Sequence, residues 1–296
     1  MKISNGAGSK AFDILNTVFM ICLMIIMLYP MLYVLSISLS SPAAIMGHKV
    51  TFFPVQFNIY GYQYILQQSY IYIGYRNTVL YAAATCLLML IVTSMAAYSL
   101  SIREFVFKKP FTIFLTITMF FGGGMIPTYL LIRSLGLINT VWVMILPGIV
   151  SAYNIFVFRA FFQGLPGELR ESAFIDGAND FVIWFRIIIP LSKPVFATYG
   201  LFAIVGTWNS WFNALLYLTN ENLYPIQMFL RRIVVDLNLD TQYGNTGASL
   251  LLSAGKINPQ NIQMALVIVT MFPILCIYPF IQRYFVKGAL VGAIKG

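Results

Sequence analysis

Long apolar runs alternate with shorter polar stretches along this chain. Six of the runs reach the roughly 20 residues that a helix needs to cross a bilayer: Phe12–Leu39, Asn77–Ser101, Pro110–Ile132, Thr140–Phe158, Val195–Leu218 and Ile262–Ile281. One polar stretch stands apart. From Gly164 to Pro194 it reads GLPGELRESAFIDGANDFVIWFRIIIPLSKP and gathers Glu168, Arg170, Glu171, Asp176, Asp180, Arg186 and Lys193. Pro166 followed by the acidic Glu168 predicts a helix start, because Pro suits the first turn and an acid suits the positive end of the helix dipole. That helix runs through Glu168–Asp176, and Gly177 is placed to end it in a left-handed cap. A second helix begins at Asn179 or Asp180, both good N-caps. Its Phe181, Trp184, Phe185 and Ile188 fall at i, i+3, i+4 and i+7, which predicts an apolar stripe. Pro190 and Pro194 mark the return to the membrane. The stretch therefore reads as a helix–turn–helix at the membrane surface, with Glu171–Ala178 as a short rigid knob.

Composition supports the membrane reading. The 296 residues are 59% hydrophobic and only 9% charged, against about 25% charged in soluble domains. The chain reads as an all-α, polytopic membrane protein. Its net charge of +9 comes from basic residues scattered between apolar runs, not from a stripe, so it argues for orientation rather than for nucleic acid. Of the 18 Lys and Arg, 12 fall in the N-terminus, residues 102–109, residues 159–194 and the C-terminal tail. The positive-inside rule then places both termini and the Gly164–Pro194 loop in the cytoplasm. The first run is too long for a signal-peptide core and has no A-x-A site behind it, so it reads as an uncleaved span bent at Pro30. Cys22, Cys86 and Cys276 lie inside apolar runs and read as small buried hydrophobes. With a single His, His48, a zinc site is not expected.

Two long loops face outward in this reading, roughly 40–76 and 219–261. The first carries Tyr60, Tyr62, Tyr64, Tyr70, Tyr72 and Tyr75, either an interfacial aromatic belt or a surface for a partner or a sugar ring. The second carries NTGASLLLSAG, Asn245–Gly255, small and able to reach toward a partner. No Asp, Glu, Lys, Arg or His lies deep in any span. Ion-coupled carriers need such groups for proton or sodium relays, and intramembrane proteases need catalytic residues at depth. Both classes are disfavoured, and the energy for any transport must come from elsewhere. The polar groups within the spans are neutral: Asn154 in the fourth, and Trp208, Asn209, Trp211 and Asn213 in the fifth. They read either as packing glue between helices or as the lining of a translocation path. Gly122–Gly124 with Pro127 breaks the third span.

The spacing of the charged loop resembles the EAA motif of ABC-importer permease subunits: E-A-A, three residues, Gly, nine residues, I-x-L-P. Glu171, Ser172, Ala173, Gly177, Ile187, Ile189 and Pro190 stand at those places, with Ser172 for the first Ala and Ile189 for Leu. The Asp176-Gly177-Ala178 triplet is typical of the sugar importers. MFFGGGMIPTYLLIRSLGLINT, WNSWFNAL and the closing QRYFVKGALVGAIKG also look like carbohydrate-uptake permeases of the maltose-system type. Within that group the chain is similar to permeases for complex, often acidic oligosaccharides from pectin or alginate.

This resemblance implies a type I ABC-importer permease (MetI-like) fold over residues 1–296, with six spans and 164–194 as the coupling loop. Two homologous permease subunits, here an expected heterodimer, form one pathway. Two ABC ATPases bind the cytoplasmic loops, and an extracytoplasmic solute-binding protein delivers an oligosaccharide across the cell membrane by alternating access. Glu168, Glu171, Ser172, Ala173, Asp176, Gly177, Ala178, Ile187 and Pro190 would form the ATPase-coupling surface. Gly292–Gly296 resembles tails that reach the ATPase pair. ATP and Mg would belong to the ATPase, since no GxxxxGK[ST] occurs here. The chain is thus expected to be no enzyme and to hold no cofactor of its own. Two other readings stay open: the same machinery carrying a peptide, amino acid or phosphate, and a membrane scaffold that binds an ATPase without transport.

Overall fold

The computed structural model describes residues 7–236 and 258–293. The Asn245–Gly255 segment and the last three residues of the tail lie outside them. No strand occurs among the described residues. The helices are α1 (Ala7–Ser38), α2 (Pro42–Met46), α3 (Tyr60–Leu66), α4 (Ser69–Ser101), α5 (Lys108–Phe120), α6 (Met125–Ser134), α7 (Trp142–Ile145), α8 (Ala152–Gln163), α9 (Glu168–Ile175), α10 (Asp180–Leu191), α11 (Lys193–Trp208), α12 (Phe212–Tyr217), α13 (Ile226–Asp236) and α14 (Pro259–Ala293). Three segments are single helices long and apolar enough to cross a membrane: Ser9–Ser38, Ser69–Ser101 and Pro259–Ile277. Three further segments are bent helix pairs, and the number of spans reaches six if each pair is one span.

The described residues form two compact units. One comprises the chain up to Ser69 with Arg232–Phe272. Here α1 continues through Pro30 as one helix. It ends without a glycine cap, so its last carbonyls need outside donors. Asn261, completely buried near the start of α14, supplies them. Its Nδ2 donates to the carbonyls of Ile37 and Ser38, both at 3.0 Å, and of Ser40 at 3.3 Å. Ile37, Ala44, Ile45 and Val50 pack beside this clasp.

The other unit comprises Tyr70–Arg231 with the residues from Pro273 on. Its axis is α4, whose 33 residues extend about 50 Å at 1.5 Å per residue. Near the start of α4, buried polar groups bond a loop that is not regular helix. Asn77 Nδ2 donates to the carbonyls of Asn222 and Tyr224, and the Tyr81 hydroxyl donates to that of Leu223. The Thr78 hydroxyl accepts from the Ile226 N–H at 2.9 Å. The last turns of α4 carry Ala97, Tyr98 and Leu100 into a second cluster with Ile155, Phe158 and Phe162 of α8.

The expected third span is divided where the glycines stand. α5 and α6 meet at 117°, and Gly124 at the turn has φ +81°, a conformation that suits glycine. α7 and α8 meet at 49°, and α10 and α11 at 84°. The expected fifth span, Val195–Leu218, is not one helix: α11 stops at Trp208 and α12 starts at Phe212.

Replacing Asn261 by Leu should leave buried carbonyls at the end of α1 unpaired, a cost of about 1–3 kcal/mol. A fall of several degrees in the thermal unfolding midpoint in detergent is expected, whereas Leu at the exposed neighbour Gln260 should change little.

Candidate functional site

The Gly164–Pro194 stretch folds as a hairpin of α9 and α10. Asp176 caps the end of α9, and Gly177 follows with φ +80°. The Gly177 N–H bonds the Phe174 carbonyl, and the Ala178 N–H bonds that of Ala173, both at 3.0 Å. This pair of bonds is a Schellman cap, and its left-handed residue is why glycine stands there. Among the described residues, a Cβ at Gly177 would meet nothing within 4 Å. Asn179 then caps α10, its Oδ1 accepting from the Val182 N–H at 2.9 Å. Within α10, Trp184–Ile188 forms a π turn. Pro190 has no N–H and its ring crowds the carbonyl of Arg186; the wider turn accommodates it.

One face of the hairpin is buried and the other is bare. Ile183, Trp184 and Ile188 are buried, with Ile187, Ala173 and Ala178 packed against the same cluster. The expected stripe is thereby corrected. Trp184 and Ile188 face the core, but Phe181 and Phe185 are exposed, and Ile183 takes a core place instead. The run FVIWFRIII is apolar on two faces, so periodicity could not choose between them. Glu168, Glu171, Ser172, Asp176, Gly177 and Pro190 are all exposed. Ile175, at the tip, is 86% exposed and Phe174 57%.

A polar network ties this hairpin to α4. The Tyr98 hydroxyl donates to Asp180 Oδ1 at 2.9 Å. Arg170 Nη1 meets Glu104 Oε2 at 3.2 Å, and Arg170 Nε lies 3.8 Å from Asp180 Oδ1. The exposed Arg–Glu pair contributes little by itself; the Tyr98 bond starts from a buried side chain. Glu104's carboxyl is held below the ordinary range, first by its own backbone N–H and then by Arg170. That tie is therefore present above the ordinary carboxylate range and is lost as pH falls through the lowered value. Tyr98 and Glu104 were not legible in the sequence, since they lie 82 and 66 residues from their partners.

A cleft of about 360 Å³ lies between α4, α8 and α11. Thr85, Tyr153, Asn154, Tyr199 and Thr207 give it polar groups, and Met89 and Phe202 apolar ones. Its volume lies within the range of small-molecule sites. Asn154 sits in the first turn of α8, where Ser151 caps the helix through the Asn154 N–H.

No protein-family model matches the chain. The chain is 37% identical over 289 residues to the polygalacturonan/rhamnogalacturonan transport system permease protein YtcP of Bacillus subtilis, covering 97% of this chain and 99% of that one. It belongs to the permease subunits of carbohydrate ABC importers. A chain in the crystal structure of a bacterial ABC transporter involved in the import of the acidic polysaccharide alginate superposes on the permease with TM-score 0.88 and 31% identity, covering 95% of the permease and 98% of that chain. A chain of a bacterial alginate ABC transporter in complex with an alginate pentasaccharide-bound periplasmic protein matches with TM-score 0.54 at 14% identity, covering 93% and 94%, and shares the fold. The permease is accordingly a transport subunit and a multi-pass membrane protein.

The polar residues expected to line one path are spread by the permease fold over four places. Asn154 lines the cleft. Trp208 is 3% exposed, its ring 6.2 Å from that of Tyr75. Asn209 and Trp211 are exposed in the break after α11, and Asn213 is half-buried in α12. Asn209 and Asn213 therefore share no helix. Among the tyrosines of residues 40–76, Tyr62 bonds Ser38 at 2.7 Å and Tyr70 stacks on Phe229.

Substitutions at Gly177 and Tyr98 test the hairpin itself. Gly177→Ala should lose about 1–2 kcal/mol from the cap through its positive φ, and Gly177→Asn less, since Asn tolerates that conformation. Tyr98→Phe removes a bond worth about 1 kcal/mol. It should speed hydrogen–deuterium exchange across residues 168–183 on the order of fivefold, while Phe181→Ala leaves exchange unchanged.

Proposed function

We propose that this permease is the membrane half of an ATP-driven oligosaccharide importer, with acidic oligosaccharides among its cargo. The single observation that carries the coupling role is the hairpin. Its Glu171–Pro190 spacing folds into a capped knob whose inner face is locked in the core. Its outer face, with Glu171, Ile175 and Asp176, is exposed among the described residues. A rigid knob carrying exposed acids and apolar side chains suits a cleft in a partner ATPase. ATP and Mg are handled in that partner, whose closure moves α9 and, through α10, the core at the end of α4. Pro190, near the end of α10, is exposed as well, and the positive-inside rule assigns the hairpin and both termini to the cytoplasm.

The pathway forms against a second, homologous permease subunit, and an extracytoplasmic binding protein delivers the oligosaccharide. The likeness to a polygalacturonan/rhamnogalacturonan permease and to an alginate importer supports the cargo class, and the polar cleft beside Asn154 offers neutral hydrogen-bonding groups of the kind sugar hydroxyls use.

Proteoliposomes holding the permease with its partners should hydrolyse ATP faster with binding protein and oligosaccharide together than with either alone. Uptake across a panel of neutral and acidic oligosaccharides should be seen; uptake of peptides, amino acids or phosphate in its place would overturn the reading. Glu171→Ala should reduce both ATPase association and uptake several-fold. The melting temperature should not move, because the side chain is exposed. Unchanged association and uptake would leave Glu171 as a solvated helix charge.

A further inference from the structure

At the end of α11 remote from the α9–α10 hairpin, four side chains from two elements converge. Asn209 and Trp211 stand in the break after α11. Gln227 and Arg231 lie one turn apart on α13 and so share a face. Gln227 Nε2 donates to Asn209 Oδ1 at 3.3 Å, and the Arg231 guanidinium lies 5.0 Å over the Trp211 ring. Asn209 is exposed and Trp211 is 39% exposed. Among the described residues Arg231 makes no ion pair. Among those residues the group given over its charge is the indole face of Trp211. Gly206 and Thr207, three and two residues before Asn209, line the cleft, so the cluster stands just beyond the cleft wall.

The chemistry of this group is specific. A guanidinium stacked on an indole keeps its N–H edge free, and that edge matches a carboxylate with two parallel hydrogen bonds. The side-chain amides of Asn209 and Gln227 offer both donors and acceptors, the complement of vicinal hydroxyls. The open part of the indole is a flat apolar surface for the C–H face of a sugar ring. A neutral sugar would leave the arginine without a counter-charge, and a bare inorganic anion would leave the indole and both amides unused. A sugar that carries a carboxylate uses all four.

We propose that Asn209, Trp211, Gln227 and Arg231 form a subsite for one uronate unit of the oligosaccharide, at the end of the path remote from the coupling hairpin. The proposal rests on the oligosaccharide-importer reading and adds to it a residue that selects acidic cargo. α11 separates the subsite from the hairpin by 16 residues, about 24 Å, so substitutions here leave the ATPase contact alone.

The test uses the assembled importer in nanodiscs, with tri-galacturonate and its methyl ester as probes and equilibrium binding by titration calorimetry as the readout. Arg231→Gln should weaken tri-galacturonate binding about tenfold or more and leave the ester unchanged. Arg231→Lys should recover part of the loss, and Trp211→Leu should weaken both probes alike. Equal weakening of both probes by Arg231→Gln would make the Arg231–Trp211 pair a structural clamp and overturn the subsite. So would unchanged binding of both. Should the wild-type importer take up neutral oligosaccharides in proteoliposomes but bind no tri-galacturonate in nanodiscs, the subsite falls while the importer reading stands. Should it take up no oligosaccharide of the panel, the importer reading itself falls.

Discussion

In hydrocarbon no backbone N–H or C=O can turn to water, so each interruption of a spanning helix must be answered by the protein itself. Helix ends and the turns beside them meet the same constraint wherever they are buried, and much of the buried polarity of this permease bonds the backbone there. Asn77, Thr78 and Tyr81 of α4 bond the backbone of residues 222–226. Asn139, held at φ +61°, bonds the Tyr217 carbonyl through its N–H and accepts from Thr219 and Asn220 through its side chain. Asn261 does the same for the end of α1. All of these are neutral groups. An amide or hydroxyl can donate and accept without the much larger desolvation cost of a charge. That explains why a chain without ionisable groups deep in its apolar runs still carries Asn, Thr and Tyr at buried positions.

The same economy shapes the α9–α10 hairpin. Its turn is closed by backbone bonds at Gly177 and by the Asn179 side chain, so it holds its shape without a partner. Ile183, Trp184 and Ile188 then insert into the cluster that contains Ala97, Tyr98 and Leu100 of α4 and Phe158 of α8. Close-packed interiors transmit displacement rather than absorb it. Movement of α9 would be carried by α10 into the end of α4, and α4 also borders the cleft through Thr85 and Met89. The Tyr98–Asp180 bond adds a directional tie to that packing.

Parts of this architecture were legible because they are local. The α9 start, the Gly177 stop and the Asn179 cap all depend on groups within five residues of one another, and residue type declares them. The apolar runs were legible for a similar reason, since length and composition alone decide what a bilayer will accept. The glycine triplet announced the break between α5 and α6. It did not announce the 117° angle, which depends on what each half packs against.

What escaped the sequence depends on distance or on a choice between equivalent faces. Nothing near Asp180 points to Tyr98, and nothing near Asn209 points to Gln227 or Arg231. Asn209 and Asn213 were both expected in the fifth span, and the chain breaks between them. Phe181 and Phe185 looked as much like core as Ile183 did. By itself the sequence determined that the chain is an all-helical membrane protein with one charged, capped hairpin, because propensity, capping and hydropathy act over a few residues. Only the tertiary structure decided which apolar face is buried, where the helices break and which polar side chains meet, because those depend on contacts between segments far apart in the chain.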